Sequence, residues 1–394
     1  PIGAYSYTDI MPLIDVLILF VSFLIIKQFK KIDIKPFIIL AVSLHASNYF
    51  IPAIAKLEIS PDLYQCVFYN NISNLFVSSY INGWLSFFSE KKILETASII
   101  NFLNTPLLLF SFIIQFVSIF IFFKEKLTYV ILVLFEILHI GIFLASGIFF
   151  YKWIILNLGF IFFFKQLSSK TKAQLFNIKV AFLSFVLIIF SPLYFSPQSL
   201  AWYDTKLNNY FDVYVTDINK KSFKLGRNFL SPYDKIFAQN RFLYTLDRPI
   251  VTATFGTIGK EKLFYSDKNL RGLFQKQIEN KNERDFNLFY SIENISISDI
   301  QNFQKNKGTN QFSIEKSEIL KKFLTTYFTN LNNSPKKKYF FEYIGFPYHI
   351  YSNNFSNYNN EKISRIDLIY NLTYYNGFEI INLKSEKVLE IFIN

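Results

Sequence analysis

A run of about 20 apolar residues is long enough to cross a bilayer and too long for most soluble cores, so it constrains a chain more than any other local pattern. Six such segments crowd the first half of this sequence: Met11–Ile26, Pro36–Leu57, Pro106–Phe123, Leu127–Ser146, Ile148–Phe164 and Ile178–Phe195. Beyond residue 200 apolar and polar residues alternate as in a water-soluble domain, and the change falls near Ser196-Pro197. The expected architecture is an α-helical polytopic membrane domain of about six transmembrane helices over residues 1–195, followed by an α+β soluble domain over residues 196–394.

The short loops set the expected orientation, because lysine and arginine collect on the cytoplasmic side. Lys27, Lys30, Lys31 and Lys35 follow the first segment, Lys124 and Lys126 the third, and Lys165, Lys170, Lys172 and Lys179 the fifth. Strict alternation puts these three loops on one side. The chain is then an integral protein of the plasma (bacterial inner) membrane, with residues 58–104 and the C-terminal domain outside the cytoplasm. The aromatic segment Leu63–Leu103 fits an amphipathic or re-entrant piece at the outer surface. Many of the basic residues behind the formal net charge of +12 flank apolar segments and the remainder are scattered over the soluble half, so no nucleic-acid partner is expected; membrane lipids are. One cysteine, Cys66, allows no internal disulfide, and the three histidines have no metal-ligand spacing, so no metal is expected.

Ionisable groups at bilayer depth are costly and therefore candidate site residues. Besides Asp15, these are His45 in the second segment, Lys56 at its end, Glu136 and His139 in the fourth, and Lys152 near the start of the fifth. Glu136 and His139, three residues apart, share a helix face. With the orientation above, Lys56 lies at the outer end of its helix and His139 about 18 Å up the fourth, at about 1.5 Å per residue. Lys152 is close to the outer end of the fifth. A pocket there could hold a polar headgroup on an apolar tail. Each residue also has a plainer reading: the lysines can reach the interface on their long stems, and the histidines can be satisfied packing residues.

The stretch Asn48-Tyr-Phe-Ile-Pro-Ala-Ile-Ala-Lys56-Leu-Glu resembles a helix end of vitamin K-dependent gamma-glutamyl carboxylase and of the wider bacterial HTTM proteins. Glu136-Ile-Leu-His139-Ile-Gly and Gly147-Ile-Phe-Phe-Tyr-Lys-Trp-Ile-Ile-Leu-Asn look like that family's paired helices, and Asn104-Thr-Pro-Leu-Leu-Leu like the start of another. The resemblance covers roughly residues 36–165. It implies Lys56 as the base that deprotonates a reduced quinone of the vitamin K or menaquinol type, with O2 and CO2 as co-reactants and His139 as a second catalytic residue in the pocket. Glu136, which could set the His139 tautomer, Lys152 and His45 are the candidate cofactor-binding residues. An amine in apolar surroundings loses hydration, which favours its neutral, basic form. The family's Trp-Asn-Asn-His motif has no counterpart here.

In the soluble half, Tyr210–Asp217 and Lys221–Leu225 read as a hairpin, Ser313–Leu331 as a helix presenting Ile314, Leu320, Phe323 and Phe328, and Ser364–Tyr370, Phe378–Leu383 and Val388–Ile393 as strands. Further strands are expected at Pro249–Phe255 and Lys338–Ile344, and a helix at Asp267–Ile278. No phosphate loop or nucleophile elbow appears, and the isolated His349 reads as a packing or surface residue. The function these features imply is a carboxylase-like, quinol-using membrane enzyme acting on an extracytoplasmic peptide or lipid. The alternatives are a non-catalytic assembly subunit that binds a protein partner, and a peptide maturation or export factor.

Overall fold

The computed structural model describes residues 2–58, 67–68, 70–195, 206–225, 311–333 and 362–393, with short pieces at 197, 201, 203–204, 245–247, 257–258 and 298. The strands expected at Pro249–Phe255 and Lys338–Ile344, the helix expected at Asp267–Ile278, and His349 and Cys66 lie outside these residues.

The described helices are α1 (Ile2–Phe29), α2 (Lys35–Glu58), α3 (Ile72–Ile81), α4 (Glu90–Phe102), α5 (Asn104–Val117), α6 (Glu125–Ser146), α7 (Tyr151–Gln166), α8 (Ser169–Leu175), α9 (Ile178–Ile189) and, in the C-terminal part, α10 (Ile314–Asn332). Among the described residues, three helical stretches are long and apolar enough to cross a membrane: Pro12–Phe29, Lys35–Leu57 and Glu125–Ser146. Two bent pairs pass the same test, Glu90–Phe102 with Asn104–Phe120 at 65° and Ser169–Leu175 with Ile178–Ile189 at 55°. The expected count of about six crossings is not confirmed: three described helices qualify, or up to five if each bent pair is one span. The third, fifth and sixth segments form helices of only 14, 16 and 12 residues. The third and sixth end in 3-10 turns at Ser118–Phe120 and Ser191–Leu193, the latter holding Pro192. The fifth starts at Tyr151 rather than Ile148, because Gly147 closes α6 in the left-handed region (φ 70°), where a Cβ is penalised.

The helices are apolar on both sides. Along α6, Ile131, Leu132, Phe135 and Leu138 are buried with Ile38, Val42, Trp153 and Ile188 from neighbouring helices. On its other side Val130, Val133, Ile137, Ile140 and Leu144 form an exposed stripe. An apolar stripe of this length facing outward from an apolar helix suits lipid rather than water.

The two ends of the bundle differ. At one end Lys35 donates to Gln174 Oε1 (2.9 Å) and Lys172 pairs with Glu125 (2.8 Å), so the loops around residues 30, 125 and 172 meet. Those are the three lysine-rich loops. At the other end, about 28 Å along α6 from Glu125 at 1.5 Å per residue, Trp84 donates its indole N–H to Leu144 O (3.1 Å). There α3 and α4 pack against each other and against the C-terminal sheet through Phe76, Val77, Ile93, Ala97 and Tyr375. The described part of Leu63–Leu103 thus includes two helices, α3 and α4, between bundle and sheet.

The described strands are β1 (Tyr203–Asp204), β2 (Leu207–Asp217), β3 (Ser222–Lys224), β4 (Leu246–Asp247), β5 (Thr257–Ile258), β6 (Gln311–Phe312), β7 (Ile363–Tyr375) and β8 (Ile380–Phe392). Four of them make an antiparallel sheet in the order β3-β2-β7-β8, while β1 pairs with β5 and β4 with β6. The expected hairpin is present, with Val215 opposite Phe223 and Lys220 in the left-handed region of the turn (φ 65°). Side chains alternate across a strand. Phe211, Val213, Val215, Ile366, Leu368 and Leu372 share a core with Leu320, Leu324 and Phe328 of α10. The opposite face is polar: Asp212 accepts from Lys224 (2.8 Å) and Asn371 (3.3 Å), and Asp367 from Arg365 (3.0 Å).

Two expectations are corrected here. Ile314 is 74% exposed, and the buried stripe of α10 runs through Ser317, Leu320, Leu324, Phe328 and Leu331. The segments expected at Phe378–Leu383 and Val388–Ile393 fall largely within one strand, β8 (Ile380–Phe392), which stays paired with β7 through two register shifts. Such irregularities absorb extra residues without breaking a ladder, so the polar stretch between the segments does not end the strand.

Candidate functional site

Helix α2 carries His45, Tyr49 and Lys56 at intervals of four and seven residues, which places them on one stripe. His45 Nε2 and Asn157 Oδ1 are 2.5 Å apart; the amide oxygen accepts, so this imidazole nitrogen donates. The Asn157 amide nitrogen donates to the Tyr49 hydroxyl oxygen (3.1 Å), and that hydroxyl is 2.7 Å from His139 Nε2. A hydrogen-bonded row thus joins α2, α7 and α6. Its four members are buried, with relative exposures of 0% for His45 and Asn157, 2% for Tyr49 and 5% for His139. Phe135 stacks on the Tyr49 ring at 3.4 Å, and Trp153 meets it edge-on at 5.1 Å.

Four buried polar atoms in this region have no hydrogen-bond partner among the described residues: His45 Nδ1, His139 Nδ1, Trp153 Nε1 and Glu136 Oε1. Leaving a buried donor or acceptor unsatisfied costs about 1–3 kcal/mol. They are the atoms at which a polar ligand or ordered water could complete the network. The Trp153 N–H is a donor only, a carboxylate oxygen accepts, and each imidazole Nδ1 takes whichever role its tautomer leaves.

Lys56 is half-buried two turns beyond Tyr49, about 10 Å along the axis at 1.5 Å per residue. Its ammonium donates to Ser111 Oγ (3.1 Å) and Gln115 Oε1 (2.8 Å), one turn apart on α5. Lys152, 9% exposed in the first turn of α7, lies 5.2 Å from the centre of the Tyr151 ring. Glu136 is half-buried and lies beside Asn157.

Of the five expected site residues, the fold gathers His45, His139 and Glu136 around Tyr49 and Asn157. Among the described residues, the hydrogen bonds that join His45, Asn157, Tyr49 and His139 run between these four and not to Lys56 or Lys152. The expectation that Glu136 sets the His139 tautomer is corrected, because His139 Nε2 bonds Tyr49 and its Nδ1 has no described partner. Spacing of three residues puts two side chains on one face but does not aim them at each other. Sequence reasoning assigned no role to Tyr49, Asn157 or Trp153. The one available signal was Asn157, an amide in the middle of an apolar helix, where interhelical hydrogen bonding is the usual resolution. Among the described residues no group of three or more His, Cys, Asp or Glu converges as a metal site would require.

Comparison with known proteins returns no matching family model, no matching curated protein and no matching solved structure.

Proposed function

We propose that this chain is an HTTM-type integral membrane protein that uses a reduced quinone to modify an extracytoplasmic peptide or lipid, with Lys56 as the base. The observation that carries this reading is the setting of Lys56. It is half-buried at the end of an apolar helix, and two of its hydrogen bonds go to the neutral side chains Ser111 and Gln115. Both acceptors sit on α5, one turn apart, and fix where the amine points. In this reading six crossings come from α1, α2, α6, α7 and the two bent pairs, and the sheet lies outside the cytoplasm. The meeting of the lysine-rich loops at the end of the bundle away from the sheet supports that orientation.

The bundle residues fit the polar end of a quinol. His139 Nδ1 and Trp153 Nε1, buried and without a described partner, could hold its oxygens between aromatic rings. Such a cofactor would supply reducing equivalents; Tyr49 and Asn157 would fix the His139 ring, and the surrounding phenylalanines would exclude water. Native mass spectrometry of the detergent-purified protein tests the reading. A quinone that accompanies the wild type and is lost in Lys56→Ala is expected; no quinone on a folded wild type would sink it.

One observation favours a second reading. Tyr49, Phe135 and Trp153 fill the space beside His139 with tight ring contacts, as a purely structural core would. A quinone-free wild type would turn the proposal to a non-catalytic subunit that binds a protein partner through its sheet domain.

A further inference from the structure

The end of the bundle away from the sheet carries a charge excess that its own side chains do not neutralise. Residues 27–35, 124–126 and 165–179 hold ten lysines against two carboxylates, Asp33 and Glu125, a surplus of eight positive charges. The fold brings these three segments together through Lys35–Gln174 and Lys172–Glu125. Both carboxylates are already engaged, Asp33 with Lys35 at 2.7 Å and Glu125 with Lys172 at 2.8 Å. The other eight lysines are exposed, among them Lys30, Lys31, Lys126, Lys170 and Lys179. Among the described residues none of these five has an anionic partner.

Immediately beside the lysines the surface becomes apolar. Phe29, Ile178 and Phe182 are exposed by 83%, 73% and 68%, and Lys27 and Lys124 lie over the rings of Phe23 and Phe123. An apolar belt rimmed by unneutralised ammonium groups matches a molecule with acyl chains and an anionic head. Each lysine near a membrane surface attracts anionic lipid, and several acting together give selective retention.

We propose that this end of the bundle binds anionic phospholipid headgroups in preference to zwitterionic ones. The proposal rests on the bundle lying in a bilayer, as the proposed function does, but not on Lys56 or a quinone.

The test inserts the full chain into nanodiscs of equal parts phosphatidylglycerol and phosphatidylcholine and reads the retained lipids by native mass spectrometry. The wild type is expected to keep phosphatidylglycerol over phosphatidylcholine by about tenfold, and K30Q/K31Q/K170Q/K179Q to lower that ratio by about fivefold or more. K91Q/K92Q, at the opposite end, leaves it unchanged. Equal retention of both lipids by the wild type, or an unchanged ratio in the folded quadruple variant, overturns the proposal. If that variant does not insert, the wild type decides alone. Raising salt from about 0.05 to about 0.5 M shortens electrostatic reach and should abolish the preference; a preference that survives overturns it. Binding of inorganic polyphosphate without any lipid preference also overturns it, and would assign the face to a soluble polyanion. Loss of quinone in Lys56→Ala leaves the lipid ratio untouched, so the two readings fail separately.

Discussion

Tyr49 is the centre of the polar row inside the bundle, because its hydroxyl meets both Asn157 and His139. Removing that oxygen leaves two buried groups without their partner while the ring still stacks on Phe135. Tyr49→Phe should therefore destabilise the protein by about 1–3 kcal/mol, read as a lower melting temperature in detergent. An unchanged melting temperature would mean that the row contributes nothing to stability. His45, His139 and Glu136 were legible in the sequence because polar groups at bilayer depth stand out against apolar neighbours. Tyr49 was not, since in a chain with 25 tyrosines and 49 phenylalanines one more aromatic ring carries no signal. Its partner Asn157 lies 108 residues away, and only the packing of α7 on α2 and α6 reveals the bond.

Among elements, α10 was the easiest to read. Its apolar residues recur at helical spacing, and Ser313 caps it by accepting from Lys316 N. Which of those residues face the sheet depended on where the helix docks, and that is why Ile314 was assigned inward although it is exposed. Leu324, fully buried in the middle of the stripe, is the firmer anchor. Leu324→Ala should cost about 2–5 kcal/mol, measured by thermal proteolysis of the full chain. A shift under about 0.5 kcal/mol would show that the site tolerates change as a surface position does. The bent pair α4–α5 was the hardest to read. Hydropathy averages along the chain and is blind to the 65° turn between Phe102 and Asn104.

At the scale of the whole molecule, the division into an apolar helical half and a C-terminal sheet was plain from composition, because a bilayer and water demand different patterns. The number of crossings was less plain, since three of the apolar segments form helices shorter than a bilayer is thick. Orientation is open to a direct measurement. With the single cysteine removed as Cys66→Ser, new cysteines at Lys170 and Phe378 report on the two ends of the molecule. A membrane-impermeant maleimide applied to intact cells should label the cysteine at 378 and spare the one at 170. Labelling of both from outside would contradict the proposed topology.

The junction between the halves is built from asparagines. The Asn70 side chain accepts from Asp204 N (2.8 Å), where the sheet domain begins, and Asn104 donates to Asn70 O (2.7 Å), where α5 begins. Seven and eleven residues further along, α5 presents Ser111 and Gln115 to Lys56. The joint is thus an elbow with a shared pin. A pull on the sheet domain would therefore pass through Asn70 to the start of the helix on which Lys56 rests.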